Sequence, residues 1–188
     1  MEANPARERV LTTAEKLFSE RGYAAVTLRD IADALGMKQA SLYYHVPGGK
    51  EALFVEVTLR GMERHRAGLE AAIATGGPDL ARWLLSQPAM NFGRMMQSDM
   101  PAIGPEHAER LRHAANRSLL APLETAFAPY IEQSNEPRTT YVAGAFLAIV
   151  ESIHALPPSF STRPRAAMAD YLIDILVNGL ERTQEIPK

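Results

Sequence analysis

Apolar positions recur along this chain every three or four residues, the period of a helix packed on one side. Nowhere do they alternate with polar ones in the two-residue period of a strand. Val10, Ala14, Leu17 and Phe18 make the first such stripe and predict a helix over residues 6–21, stopped by Gly22. Thr27 and Asp30 form a capping-box pattern, in which the hydroxyl accepts from the backbone N–H three residues on and the carboxylate accepts from the N–H of Thr27. From that start Leu28, Ile31, Ala32 and Leu35 define a second helix, and Gly36 follows where helices commonly end in left-handed geometry. A third helix over residues 38–45 points Leu42 back at the same core. Two short helices joined through a glycine at this spacing predict a helix-turn-helix.

After Lys50 a long helix is expected as far as Ala72, with Gly76, Gly77 and Pro78 breaking it. Helices over 79–87 and 89–100 are separated by Pro88, and 106–133 is expected to bend or split at Pro122 and Pro129. Helices over 138–156 and 165–182 complete an all-α reading. An N-terminal three-helix bundle with a helix-turn-helix occupies residues 1–50, and a larger helical domain for ligand binding and dimerisation occupies 51–188.

With Leu42 inward, a helical wheel sets Ala40 and Tyr44 opposite it, Ser41 and Tyr43 on the flanks and Gln39 at the N-terminal end. A glutamine amide suits an adenine edge, an alanine methyl or aromatic ring suits a thymine methyl, and hydroxyls suit phosphates. No acid occurs from Ala34 through Lys50, whereas Lys38, His45 and Lys50 do, so the local field favours a polyanion.

In 165–182 the apolar surface (Met168, Tyr171, Leu172, Ile175, Leu176, Gly179 and Leu180, widened by Ile173 and Val177) exceeds what one core contact needs. Ala143, Gly144, Ala145 and Ala148 add a small-residue face in the preceding helix, so a two-fold, four-helix interface in a homodimer is expected. Met90, Met95, Met96 and Met100 accompany Trp83 and Phe92, with Phe127, Tyr141 and Phe146 farther along, and flexible thioethers with aromatics suit an adaptable apolar pocket. The candidate effector contacts are Trp83, Phe92, Met95, Met96, Met100 and Tyr141, for a small apolar or amphipathic ligand.

Composition narrows the choices. A formal charge of −2 over 188 residues argues against indiscriminate coating of nucleic acid, so basicity must be local. Residues 1–50 carry seven Lys and Arg against six Asp and Glu. Cysteine is absent, which removes disulfides, thiolate metal sites and thiol redox chemistry and suits a reducing cytoplasm. The apolar run over 141–150 falls well short of the ~20 residues that span a bilayer, so no membrane association is expected. The histidines are too dispersed for a metal signature, and no cofactor is expected.

Residues 9–53 resemble the DNA-binding domain of the TetR family of bacterial transcriptional regulators. The resemblance rests on Ala14, Phe18 and Gly22, on Thr27, Ile31, Ala32, Leu35 and Gly36, and on Leu42, Tyr43, Tyr44, His45 and Val46 followed by Lys50, Glu51, Ala52 and Leu53. It implies operator contacts from Thr27 and Arg29 at the start of the second helix, from Gln39, Ala40, Ser41, Tyr43, Tyr44 and His45 in the third, and from Lys50 at the fourth. Two departures stand out: Lys38 replaces the common small polar residue before the third helix, and the link Pro47, Gly48, Gly49 is one residue longer. The function implied is a cytoplasmic, homodimeric transcriptional regulator, a repressor released from a palindromic operator by a small-molecule effector, and not an enzyme. The alternative is a helical small-molecule-binding protein or enzyme that does not act on DNA; no phosphate loop, nucleophile elbow or paired metal ligands support it.

Overall fold

The computed structural model describes residues 4–74, 78–87, 91–131 and 138–157, with positions 159, 164, 165, 167, 168, 170, 171, 174 and 175. Among the described residues every regular element is helical, and none is long and apolar enough to cross a membrane. Helix α1 (Pro5–Arg21) begins where the Asn4 side chain accepts from the N–H of Ala6 at 3.0 Å, with proline at its first position. It buries Val10, Leu11, Ala14, Leu17 and Phe18. Helix α2 (Leu28–Leu35) starts on a complete Thr27–Asp30 capping box and ends at Gly36, left-handed at φ 65°. Helix α3 (Gln39–His45) follows; Lys38 occupies its cap position without a side-chain cap bond. The Lys38 departure therefore leaves the first N–H groups of α3 without the hydroxyl or carboxylate that usually serves them.

Helix α4 (Gly49–Ala74) is followed by α5 (Pro78–Ser86). The helix expected over 89–100 is instead α6 (Phe92–Arg94), which widens into a π-turn over Met95–Asp99 and then tightens into a 3-10 turn over Met100–Ala102. The expected break in 106–133 takes the same form: α7 (Pro105–Ala115), a π-turn over Asn116–Leu120, α8 (Ala121–Phe127) and a 3-10 turn over Ala128–Tyr130. Each π-turn stops two residues before a proline, Pro101 or Pro122. A proline ring collides with the carbonyl four residues earlier and offers it no N–H, and the wider turn moves that carbonyl aside. The register shifts accordingly, with the N–H of Met100 reaching Met95 O and that of Ala121 reaching Asn116 O.

Helix α9 (Arg138–Ala155) agrees with the helix expected over 138–156; it buries Ala143, Phe146, Leu147, Val150 and Ile153 on one face and leaves Tyr141 exposed on the other. Of the apolar face expected in 165–182, Tyr171 and Ile175 are exposed and Met168 is half-buried; positions 172, 173, 176, 177, 179 and 180 lie outside the described residues, as does Met90.

The chain divides into two compact units, Met1–Arg64 with Asn91–Ala114, and His65–Met90 with Ala115–Lys188. In the first, Val10, Ala14, Val26, Ile31 and Leu42 are completely buried. Ion pairs join α1 to α4: Arg7 grips both oxygens of Glu56 at 2.8 Å, Arg60 reaches Glu8 at 2.8 Å, and Arg64 pairs with Glu15. In the second unit α9 packs on α5 and α8, with Phe127 and Phe146 edge to face at 5.2 Å.

Trp83, the sole tryptophan, lies against Gly68 so closely that a Cβ there would collide with its ring. In a mid-helix position alanine ordinarily stabilises by about 1 kcal/mol over glycine, but here overpacking of ~1–3 kcal/mol opposes it. Gly68→Ala is expected to lower the thermal midpoint and shift the Trp83 emission maximum, measured together by circular dichroism and intrinsic fluorescence; a stabilised variant with unchanged emission refutes the close approach.

Candidate nucleic-acid interface

The third helix presents its residues as the wheel requires of a groove reader. Leu42 is completely buried, and Val46 just after the helix is 4 % exposed. Gln39, Ala40 and Ser41 are exposed, Tyr43 is 51 % and Tyr44 83 % exposed, and His45 is half-buried with its ring edge-on to Tyr44 at 5.3 Å. Neither tyrosine is a core aromatic. The burial of a single leucine flanked by exposed polar and aromatic positions is what fixes the helix and leaves its other side clear.

At the start of α2 the Thr27 hydroxyl accepts from the N–H of Asp30 at 3.1 Å and donates to the Asp30 carboxylate, which also accepts from the N–H of Thr27 at 2.7 Å. These bonds hold the Asp30 carboxyl below its usual range, the Thr27 hydroxyl contributing most. Arg29 projects beside this cap, exposed, with Asp33 one turn on at 3.7 Å. So weak and exposed a pair does little to hold the guanidinium back from another acceptor.

Lys50, in the first turn of α4, is half-buried, with its Nζ 4.1 Å from the centroid of the Tyr23 ring. Burial lowers the Lys50 pKa, with the nearby Asp30 charge opposing. The ring belongs to an aromatic trio: Tyr23 lies 5.0 Å from Phe54, and Phe54 meets Phe18 edge-on at 5.2 Å. Burial and the charge of Glu51 raise the Tyr23 pKa.

Nothing in the residue pattern announces that the α1–α2 turn is held by residues 91–107. The Arg94 guanidinium donates to Phe18 O at 3.0 Å and Ser19 O at 2.7 Å, and the Asn91 amide donates to Ser19 O at 3.1 Å. Asp99, 5 % exposed, accepts from the N–H of Tyr23 at 2.8 Å and stands 3.6 Å from Arg94 Nε. Gly22 is positive in φ at 83°, and a Cβ on it would come within 3.1 Å of Asp99. Glu51 accepts from the N–H of Gly104 at 2.8 Å and from His107 Nδ1 at 2.6 Å. Its carboxyl is held low, chiefly by His107. Arg94 and Asp99 are five apart, a spacing that an ordinary helical wheel separates and the π-turn reunites.

Among the candidate effector contacts, Phe92, Met95, Met96 and Met100 belong to the first unit and Trp83 and Tyr141 to the second. Met95 and Met100 are buried, Trp83, Phe92 and Met96 half-buried, and Tyr141 is 66 % exposed. Among the described residues no cluster of His, Cys, Asp or Glu is arranged to hold a metal ion.

Comparison with known proteins bears on the same region. Residues 10–57 match the family described as bacterial regulatory proteins, tetR family. The HTH-type transcriptional repressor KstR2 of Rhodococcus jostii is 42 % identical over 73 residues, 39 % of this chain and 35 % of that protein. The matched segment thus spans about a third of the length of the curated relatives. Among solved structures, the regulator PfmR of Thermus thermophilus superposes with TM-score 0.67 at 26 % identity over 93 % of this chain and all of that one. AibR, solved with isovaleryl coenzyme A and operator DNA, superposes with TM-score 0.73 at 20 % identity over 91 % of this chain and 97 % of its own.

Two measurements test this geometry. Glu8, Asp30 and Glu51 all have depressed carboxyl pKa values in the fold. Their contribution is complete above the unfolded values near 4 to 4.5 and is lost as pH falls through the lower folded values. The thermal midpoint is expected to fall on acidification through this window, less steeply in Glu51→Gln; an identical slope in that variant refutes the Glu51 assignment. Thr27→Val removes the cap and is expected to cost about 1 kcal/mol in urea unfolding, whereas Tyr44→Ala, at an exposed position, is expected to stay within about 0.5 kcal/mol of the parent.

Proposed function

Because residues 10–57 match the tetR family of bacterial regulatory proteins, we propose that the chain is a member of that family and a sequence-specific, DNA-binding transcriptional regulator. Its role is repression, relieved by a small apolar or amphipathic effector. The observation that carries this reading is the exposed face of α3 around Tyr44, set on a buried Leu42 in a stretch of chain without an acidic residue. Gln39, Ala40, Tyr43 and Tyr44 read base edges in the major groove, Arg29 reads a second edge, and Thr27, Ser41, His45 and Lys50 hold the phosphates.

The working division of labour is a DNA-binding domain over residues 1–50 and an effector-binding and dimerisation domain over 51–188. Exposed Tyr141, Tyr171 and Ile175 support a homodimer, since such large apolar side chains gain by being covered. Two copies set α3 into successive major grooves about 34 Å apart on a palindromic operator. Trp83, Phe92, Met95, Met96, Met100 and Tyr141 are the proposed effector contacts. AibR, which carries an acyl-coenzyme A and operator DNA on a similar fold, supports pairing the two kinds of ligand. The cytoplasm is the compartment in which such a regulator meets its operator.

The test is fluorescence anisotropy on a duplex recovered by selection from random sequence. The selected sequence is expected to be palindromic with half-sites about one helical turn apart. Gln39→Ala combined with Tyr44→Ala is expected to weaken it by about 1–3 kcal/mol per lost base contact while leaving binding to unselected DNA nearly unchanged. Unchanged affinity for the selected duplex refutes the groove assignment.

A further inference from the structure

We infer that Tyr23 is a positioning residue for the phosphate-holding cation Lys50, and that Asp99 fixes Tyr23 in that role. The inference rests on the DNA-binding reading above and adds to it a route by which the segment around residues 91–99 governs one phosphate contact.

A lysine near the start of a helix normally samples many rotamers in water, and ordering it against a phosphate carries an entropic cost. Here Lys50 lies with its ammonium over the Tyr23 ring at 4.1 Å, a cation–π geometry, and is half-buried in the free protein. The ring is not free to follow the lysine. Phe54 packs on it at 5.0 Å and Phe18 at 6.3 Å, and its backbone is tied at the other end by the 2.8 Å bond from Tyr23 N–H to Asp99.

Asp99 is in turn fixed. It is buried, it stands beside Arg94, and Arg94 is spent on the last carbonyls of α1. Gly22 has no side chain to keep the carboxylate away. The charged groups around Lys50 are consistent with this role: Asp30 is near enough to stabilise the ammonium, yet its carboxylate is engaged by Thr27, and Glu51 faces Gly104 and His107. The ammonium is therefore ordered by a neutral π face and remains available to a phosphate oxygen. A shift of the 91–99 segment loosens Tyr23 and, through it, Lys50, without any change in α3.

The measurement is the dependence of binding on salt concentration for the selected duplex, because the slope counts phosphates neutralised by ordered cations. Lys50→Met is expected to reduce the slope by about one per bound chain, and Tyr23→Leu to reduce it equally. The double variant is expected to show no further fall, and Tyr23→Phe, which keeps the ring, to retain the parent slope. Should Tyr23→Leu unfold, Tyr23→Met fills the same space between Phe18 and Phe54 without a π face and replaces it. Asp99→Ala is expected to lower the slope only when Lys50 is present. A parent-like slope in folded Tyr23→Leu or Tyr23→Met, or additive effects with Lys50→Met, overturns the positioning role alone. Absence of binding by the parent chain to any selected duplex overturns the DNA-binding reading and this inference together.

Discussion

The first unit depends on how the C-terminal end of α1 is satisfied. A helix leaves its last carbonyls without intrahelical donors, and a link of six residues, 22–27, joins α1 to α2. Gly22 turns sharply and returns its own N–H to Phe18 O, but Ser19 O and the second lone pair of Phe18 O are met from more than seventy residues away, by Arg94 and Asn91. Asp99 holds the N–H of the next residue, Tyr23. The three side chains bind backbone atoms, so they fix the path of the chain into α2 regardless of what the exposed side chains do. The orientation of α2, and of α3 packed on it, follows from that path.

Proline is the reason those side chains converge. Without Pro101 the stretch over residues 92–100 has every reason to run as a regular helix, and Arg94 and Asp99 would point to different sides of it. The wide turn that relieves the clash of Pro101 with the carbonyl of Gln97 moves Asp99 round to the side of Arg94. A π-turn also precedes Pro122 in the second unit, whereas Pro129 is met by a 3-10 turn after the regular helix α8.

What the sequence made legible was whatever short-range chemistry decides. The Thr27–Asp30 box, the left-handed Gly36, the inward Leu42 and the outward Tyr44 each depend on neighbours within one or two turns, and periodicity with capping rules is enough to place them. The π-turns are illegible because a wheel drawn at 3.6 residues per turn cannot pair residues five apart, so the helical stretch expected over 89–100 is found over 92–102 with an unforeseen wide turn inside it. The contact of Lys50 with Tyr23 is hidden for another reason: it joins residues 27 apart across α2 and α3, and nothing in either residue type announces the partner. The resemblance that placed Lys50 on a phosphate was silent about what orders it.

Charge explains how a chain with a net charge of −2 presents a surface fit for a polyanion. Six carboxylates of the first unit are engaged within it: Glu8 by Arg60, Glu15 by Arg64, Glu56 by Arg7, Asp30 by Thr27, Glu51 by His107 and Gly104, and Asp99 by Tyr23 and Arg94. Apart from Asp30 at the start of α2, those groups lie along α1, α4 and the 91–107 segment, whereas the stretch from Ala34 to Lys50 contains no acid to pair. Exposed pairs add little to stability one at a time, but together they do something that net charge does not reveal. They neutralise the acidic groups where α1 and α4 meet and leave the α3 side with Lys38, His45 and Lys50 uncancelled by a neighbouring carboxylate of the same segment. The field that this surface offers a polyanion is set by that local distribution, because at physiological salt charges beyond about 8 Å are largely screened.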